Sequence, residues 1–155
     1  MTEAITSNDI KSFNNDGVVL LRGVFKDWIE ILRSGAEFHI KNPSESALIH
    51  KQDSQLGQFM EDFCNWQRIA EYKDFVLNSP LGSFAADLTG SESIQFFHDH
   101  FFYKEASSGV ATPWHQDMPY YCVDGLQTVS FWMPLELREQ SVSLKCAAGS
   151  HSYSK

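Results

Sequence analysis

Apolar residues in the first 90 positions recur mostly at helical spacing. Thr6-Ser7-Asn8-Asp9 offers capping side chains ahead of Ile10 and Phe13, and Asn14-Asn15-Asp16-Gly17 closes that pattern, so a short first helix is expected. Val18 to Leu21 is continuously apolar and β-branched, which predicts a buried strand, with Gly23 and Asp27 marking the passage into the next element. From Trp28 to Phe38 the positions Trp28, Ile29, Leu32 and Ala36 return to a helical repeat. Lys41 to Gln55 is polar, contains Asn42-Pro43-Ser44 and has no clear period, so it is expected to be a loop or lid. Phe59, Phe63, Trp66, Ile69, Tyr72 and Val76 follow steps of three and four and predict a helix. Asn78-Ser79-Pro80 should end it and start another, Leu81 to Leu88.

At Ser91 the texture changes. Ile94 to Tyr103, IQFFHDHFFY, is dense in β-formers without Gly or Pro and predicts the best strand of the chain. Past Gly109 come TPWHQDMPYY (112 to 121), a turn at Val123-Asp124-Gly125, a long strand Leu126 to Leu137, a third strand Val142 to Cys146, and the turn Ala148-Gly149-Ser150-His151. Helices first and antiparallel-looking strands second predict an α+β layout around a barrel or jelly roll. No repeat, low-complexity tract or linker divides the chain, so one domain is expected over 1 to 155: 1 to 90 mainly helical, 91 to 155 strands.

The bulk numbers change this picture only by exclusion. At 155 residues and 43% hydrophobic, the chain can build a core. A formal charge of −8, with no Lys or Arg run to offset it locally, argues against nucleic acid as a partner. Cys64, Cys122 and Cys146 are too widely spaced for a zinc ribbon and odd in number, so reduced, mostly buried thiols are expected. No apolar run approaches the ~18 residues of a membrane span, and MTEAITSNDI lacks a secretory pattern, so a cytoplasmic protein without a membrane partner is expected.

Candidate chemistry sits in TPWHQDMPYY. In an extended segment residues two apart project from one face, so His115 and Asp117 could bind one ion. A neutral imidazole and a carboxylate, joined by a second histidine, leave cis positions open on Fe(II); zinc or manganese would accept the same two ligands. A His-x-Asp triplet also arises by chance, and the two residues could simply pair with each other or cap a turn. Context has to decide.

That context is a strand, His-x-Asp, a turn, a strand with Trp132, and Gly-Ser-His. FFYKE (101 to 105), TPWHQDMPYY, VDGLQTVSFWMPL (123 to 135) and AAGSH (147 to 151) together resemble the phytanoyl-CoA dioxygenase family of Fe(II)- and 2-oxoglutarate-dependent oxygenases, in the family's order and with near-family spacing. The resemblance covers about the last third of the chain. It implies a double-stranded β-helix, the cupin-like jelly roll, preceded by N-terminal helices, with iron at one end of the barrel. It also implies His115 and Asp117 as metal ligands and Trp132 and His100 as positions lining the 2-oxoglutarate pocket. Trp132 could equally be core, and His100 a hydrogen-bonded barrel histidine. Relatives that halogenate carry a small residue where this chain has Asp117, so the carboxylate implies hydroxylation of a small organic substrate by O2, coupled to decarboxylation of 2-oxoglutarate.

Two expected parts are not found. The family's third ligand, a distal histidine, and the arginine that pairs with the far carboxylate of 2-oxoglutarate have no counterpart here; Arg138 precedes the Gly-Ser-His turn, and the counterpart of His151 lies outside the metal's ligand shell. His98 shares a strand face with His100, and a structural role is expected for it. The barrel is therefore expected to be incomplete in these 155 residues, as in a fragment of a longer product. The alternative reading is a non-catalytic cupin-like small-molecule binding module. Neither the substrate nor the oligomeric state has a recognisable signature; Lys51 and Lys104 could meet an anion, though lysines are ordinarily just solvated.

Overall fold

The computed structural model describes residues 4–50, 57–106, 112–137 and 139–153. Lys51 to Gln55 of the expected loop, Gly109 and Arg138 lie outside the described residues. The fold is α+β, and it groups into two compact units, residues 1–29, 80–94 and 116–155 in the first and residues 30–79 and 95–115 in the second.

In the first unit, helix α1 (Ser7–Asp16) starts at a reciprocal cap. The Thr6 hydroxyl accepts from the Asp9 amide at 3.2 Å, and the Thr6 amide donates to the Asp9 carboxylate at 2.9 Å. The helix ends at Gly17, whose φ of +72° only a glycine adopts without strain. Helix α4 (Leu81–Thr89) buries Leu81, Phe84, Ala85 and Leu88, the i, i+3, i+4, i+7 stripe of a core-facing helix. Phe25 joins this core against Phe84 (ring centroids 5.5 Å) and edge-on to Phe131 (5.9 Å).

The second unit is a helical layer against a small sheet. Helix α2 (Ile29–Lys41) buries Leu32, Gly35 and His39. Gly35 is obligatory because a Cβ there would lie 2.8 Å from the Tyr72 ring, which α3 (Ala70–Asn78) presses against it. Strands β1 (Leu48–His50), β2 (Phe59–Phe63) and β3 (His100–Lys104) form one antiparallel sheet in the order β1-β2-β3. Met60 stands opposite Ile49 and Tyr103, and Phe63 opposite His100. Met60 and Asp62 point into the buried face; Glu61 and Phe63 point the other way.

Several expectations are corrected. Phe59–Phe63 is a strand, not the start of a helix. A step of four keeps Phe59 and Phe63 on one face in either periodicity, so spacing could not separate them. The chain turns at Cys64, φ +60°, where the Asp99 carboxylate accepts the amides of Asn65 (3.1 Å) and Trp66 (2.9 Å), and the helix starts only at Ala70. The expected loop contains β1, and the strand expected from Ile94 begins at His100.

Val18–Leu21, Leu126–Leu137 and Val142–Cys146 form no strands. Val18–Leu21 and the stretch from Thr128 to Leu135 nevertheless keep a two-residue burial alternation, half-buried at Val19, Leu21, Val129, Phe131, Met133 and Leu135 and exposed between them. The pattern of a strand is present without its hydrogen-bonded neighbour. Among the described residues the strands make an open three-stranded sheet. The three cysteines are free, and they are exposed, where burial had been expected.

Candidate functional site

His115 sits in a stretch without regular structure, exposed to solvent. Its Nδ1 lies 2.8 Å from the Pro113 carbonyl oxygen. A carbonyl can only accept, so Nδ1 carries the proton and the neutral ring keeps its basic lone pair at Nε2. A backbone carbonyl that fixes the tautomer in this way is the support that metal-binding imidazoles ordinarily have.

Asp117 is likewise exposed. It precedes the short 3-10 turn Met118–Tyr120, which its backbone carbonyl starts by accepting from the Tyr120 amide at 2.9 Å. Its Oδ2 accepts a long hydrogen bond, 3.4 Å, from the Tyr121 hydroxyl. Burial, and then the Asp117 charge, push the Tyr121 phenol above its ordinary value, although a hydrogen bond with Ser130 acts against them.

Trp132 is 48% exposed and borders an apolar cavity of about 160 Å³ within the first unit, between residues 17–21 and 129–133 and closed by Phe13, Val24, Phe25 and Leu88. No Lys or Arg is among the residues lining it. In the second unit, His100 opens β3 with its ring stacked on Phe63 (3.7 Å) and tilted by 41° against Phe102 (3.8 Å). Its Nε2 faces one oxygen of Glu61 at 3.2 Å, and the other oxygen meets His50 Nε2 at 2.7 Å. A carboxylate accepts, so both imidazoles present Nε2–H to it.

The four candidates thus divide, His100 and His115 in the second unit, Asp117 and Trp132 in the first. Among the described residues no group of three His, Cys, Asp or Glu gathers to hold a metal ion. The donor chemistry of His115 and Asp117, an Nε2 lone pair and a carboxylate, does fit Fe(II). His151 lies elsewhere in the first unit, against the end of α1, where a Cβ on Gly17 would fall 2.6 Å from its Cγ.

The family model for phytanoyl-CoA dioxygenase (PhyH) matches residues 13–155, a span that holds all four candidates. The chain belongs to the phytanoyl-CoA dioxygenase family. Membership in the phytanoyl-CoA dioxygenase family gives the broad class, an Fe(II)- and 2-oxoglutarate-dependent oxygenase with O2 and a small molecule as partners. No curated protein and no solved structure matches the chain. No helix among the described residues is long and apolar enough to cross a membrane.

Sequence reasoning missed one polar cluster in the second unit. His39 and Asp62 are fully buried and joined at 2.9 Å, and Asp62 also accepts from the Ser44 amide (2.8 Å), the Ser44 hydroxyl (2.6 Å) and the Phe63 amide (2.8 Å). Burial opposes its charge, but the hydrogen bonds from Ser44 and His39 outweigh this and hold the carboxyl well below the usual range. The signal was legible in principle, because His39 continues the buried Leu32 stripe one helical turn past Gly35.

Proposed function

We propose that this chain is a non-haem Fe(II)- and 2-oxoglutarate-dependent dioxygenase that hydroxylates a small organic substrate. The observation that carries the reading is the family match over residues 13–155, with the His-x-Asp motif intact inside it. His115 would give Fe(II) its Nε2, the nitrogen left basic once Nδ1–H is committed to Pro113. Asp117 would give a carboxylate, and by occupying that position it disfavours halogenation. Bound iron would supply the site at which O2, the oxidant, is activated at the expense of two electrons from 2-oxoglutarate. The chain's own part is to hold the donors and orient the reactants. Trp132 and His100 are proposed to line the co-substrate pocket; the close packing of the His100 ring against both Phe63 and Phe102 supports this, since such a ring is held in one orientation.

The fold proposed for this function is a cupin-like jelly roll in a single domain over 1 to 155. The preserved alternation at 18–21 and 128–135 supports it. A cytoplasmic setting agrees with three free thiols.

The test is iron-dependent formation of succinate from 2-oxoglutarate, with His115→Ala and Asp117→Ala each expected to abolish it. Succinate production that survives both substitutions would end the proposal, and 2-oxoglutarate binding that ignores Fe(II) would favour the non-catalytic binding module.

A further inference from the structure

The middle residue of the His-x-Asp motif is the one that the fold holds. Residues 112–116 belong to no helix or strand, so no ladder fixes them, and Thr112, Pro113, Trp114, His115 and Asp117 are all exposed. Gln116 alone in that run is half-buried. Its side-chain Nε2 donates to the Ser150 carbonyl at 2.8 Å, a partner 34 residues further along the chain. A carbonyl only accepts, so the amide nitrogen of Gln116, not its oxygen, must face Ser150.

The acceptor is itself fixed. Ser150 opens a short 3-10 turn to Ser152, and the Tyr153 amide closes it by donating to the same Ser150 carbonyl at 3.1 Å, so both lone pairs of that oxygen are in use. Gly149, just before, has a φ of +76°, a left-handed value that a glycine takes without strain. Its amide donates to the Asp16 carbonyl at 2.7 Å, at the end of α1. The Gly-Ser-His turn therefore stands on the first helix and offers one carbonyl to the motif. Gln116, Asp117, the turn and α1 all belong to the first unit.

Donors make a metal site only when held to within about 0.5 Å and 10–20° of the productive geometry, and the groups that hold them are the partners one shell further out. Anchoring Gln116 fixes the peptide from which Asp117 springs, and with Gln116 turned inward Asp117 is turned out. We propose that Gln116 is a positioning residue, whose bond to the Ser150 carbonyl ties the metal-binding motif to the Gly-Ser-His turn and sets the aim of Asp117. This role rests on the iron reading of His115 and Asp117 given above. It also gives the Gly-Ser-His turn a part in the site without making His151 a ligand.

The test is titration of the full chain with Fe(II) under anaerobic conditions, and with Co(II), which accepts the same donors and reports its geometry by visible absorption. Gln116→Met keeps the length of the side chain and loses the donor. It should weaken both metals by about 10–100-fold and change the Co(II) spectrum, while the thermal melt falls by only about 2–4 °C, the effect of one hydrogen bond in a chain of this size. Gln116→Asn, one carbon too short to reach Ser150, is the second variant and should do the same. Ser150→Ala keeps the backbone carbonyl and should bind both metals as the wild type does. Wild-type affinity and spectrum in the two Gln116 variants, however far their melts fall, would overturn the proposal and leave the iron reading standing, and so would metal binding lost in Ser150→Ala. A wild-type chain with no affinity for Fe(II) would overturn the iron reading and this role with it.

Discussion

Replacing Asp62 by Asn is nearly isosteric and probes the buried cluster of the second unit directly. Oδ2 accepts from His39 Nε2 (2.9 Å) and the Ser44 amide (2.8 Å); Oδ1 accepts from the Ser44 hydroxyl (2.6 Å) and the Phe63 amide (2.8 Å). All four are donors, and an asparagine turns one acceptor into a donor. The less costly orientation sets its NH2 toward Ser44 Oγ, because the hydroxyl can rotate and accept while the Phe63 amide cannot. One buried N–H is then orphaned, at about 1–3 kcal/mol, and two bonds to a charged acceptor become neutral ones, at about 1 kcal/mol each. The loss is about 3–5 kcal/mol, the same as the range for breaking a buried pair by removing one partner. Urea unfolding followed by circular dichroism should show it at pH ~7, as a midpoint lowered by about 1–3 M for a chain of this size. The pH dependence has a fixed sign. The native carboxyl titrates below its ordinary 3.8, so its contribution is complete above that value and is lost as pH falls through the depressed native one. The gap between wild type and Asp62→Asn should therefore narrow at about pH 3 and below. A loss under about 1 kcal/mol at neutral pH, or a gap that does not narrow in acid, would refute this account.

Two further outcomes are expected. Gly17→Ala forces a left-handed φ on a residue with a Cβ, costing about 1–2 kcal/mol, and drives that Cβ into the His151 ring, 2.6 Å from its Cγ; a thermal melt should fall by several degrees and recover in part in the double variant with His151→Ala. Asp117→Asn removes a charge that helps to hold the Tyr121 phenol up, so an ultraviolet pH titration should show one tyrosine ionising closer to 10.0 than in the wild type, and an unchanged titration would separate Asp117 from Tyr121.

The helices were legible because what makes them is local. Thr6 with Asp9, Gly17 past the last turn, and the Leu81–Leu88 stripe act within a few residues of chain, and α1 and α4 formed close to where these signals placed them. The family was legible for a related reason: TPWHQDMPYY and AAGSH are contiguous blocks in a fixed order, and the family match spans both. The His39–Asp62 pair was not, since it joins a helix to a strand 23 residues away and the strand had been assigned to a helix.

What failed was strand pairing, which no window of sequence contains. Alternation fixes the faces a segment shows, and Thr128–Leu135 shows them as expected. A ladder needs a second segment in register as well. Phe59–Phe63 obtained both, with β1 on one side and β3 on the other, although its spacing fitted a helix equally well. Leu126–Leu137 had the cleaner β pattern and obtained neither neighbour among the described residues. Hydrophobic period and strand partner are thus separate determinants, and the second is set by topology, which is why the segment with the better pattern is the one left as an edge.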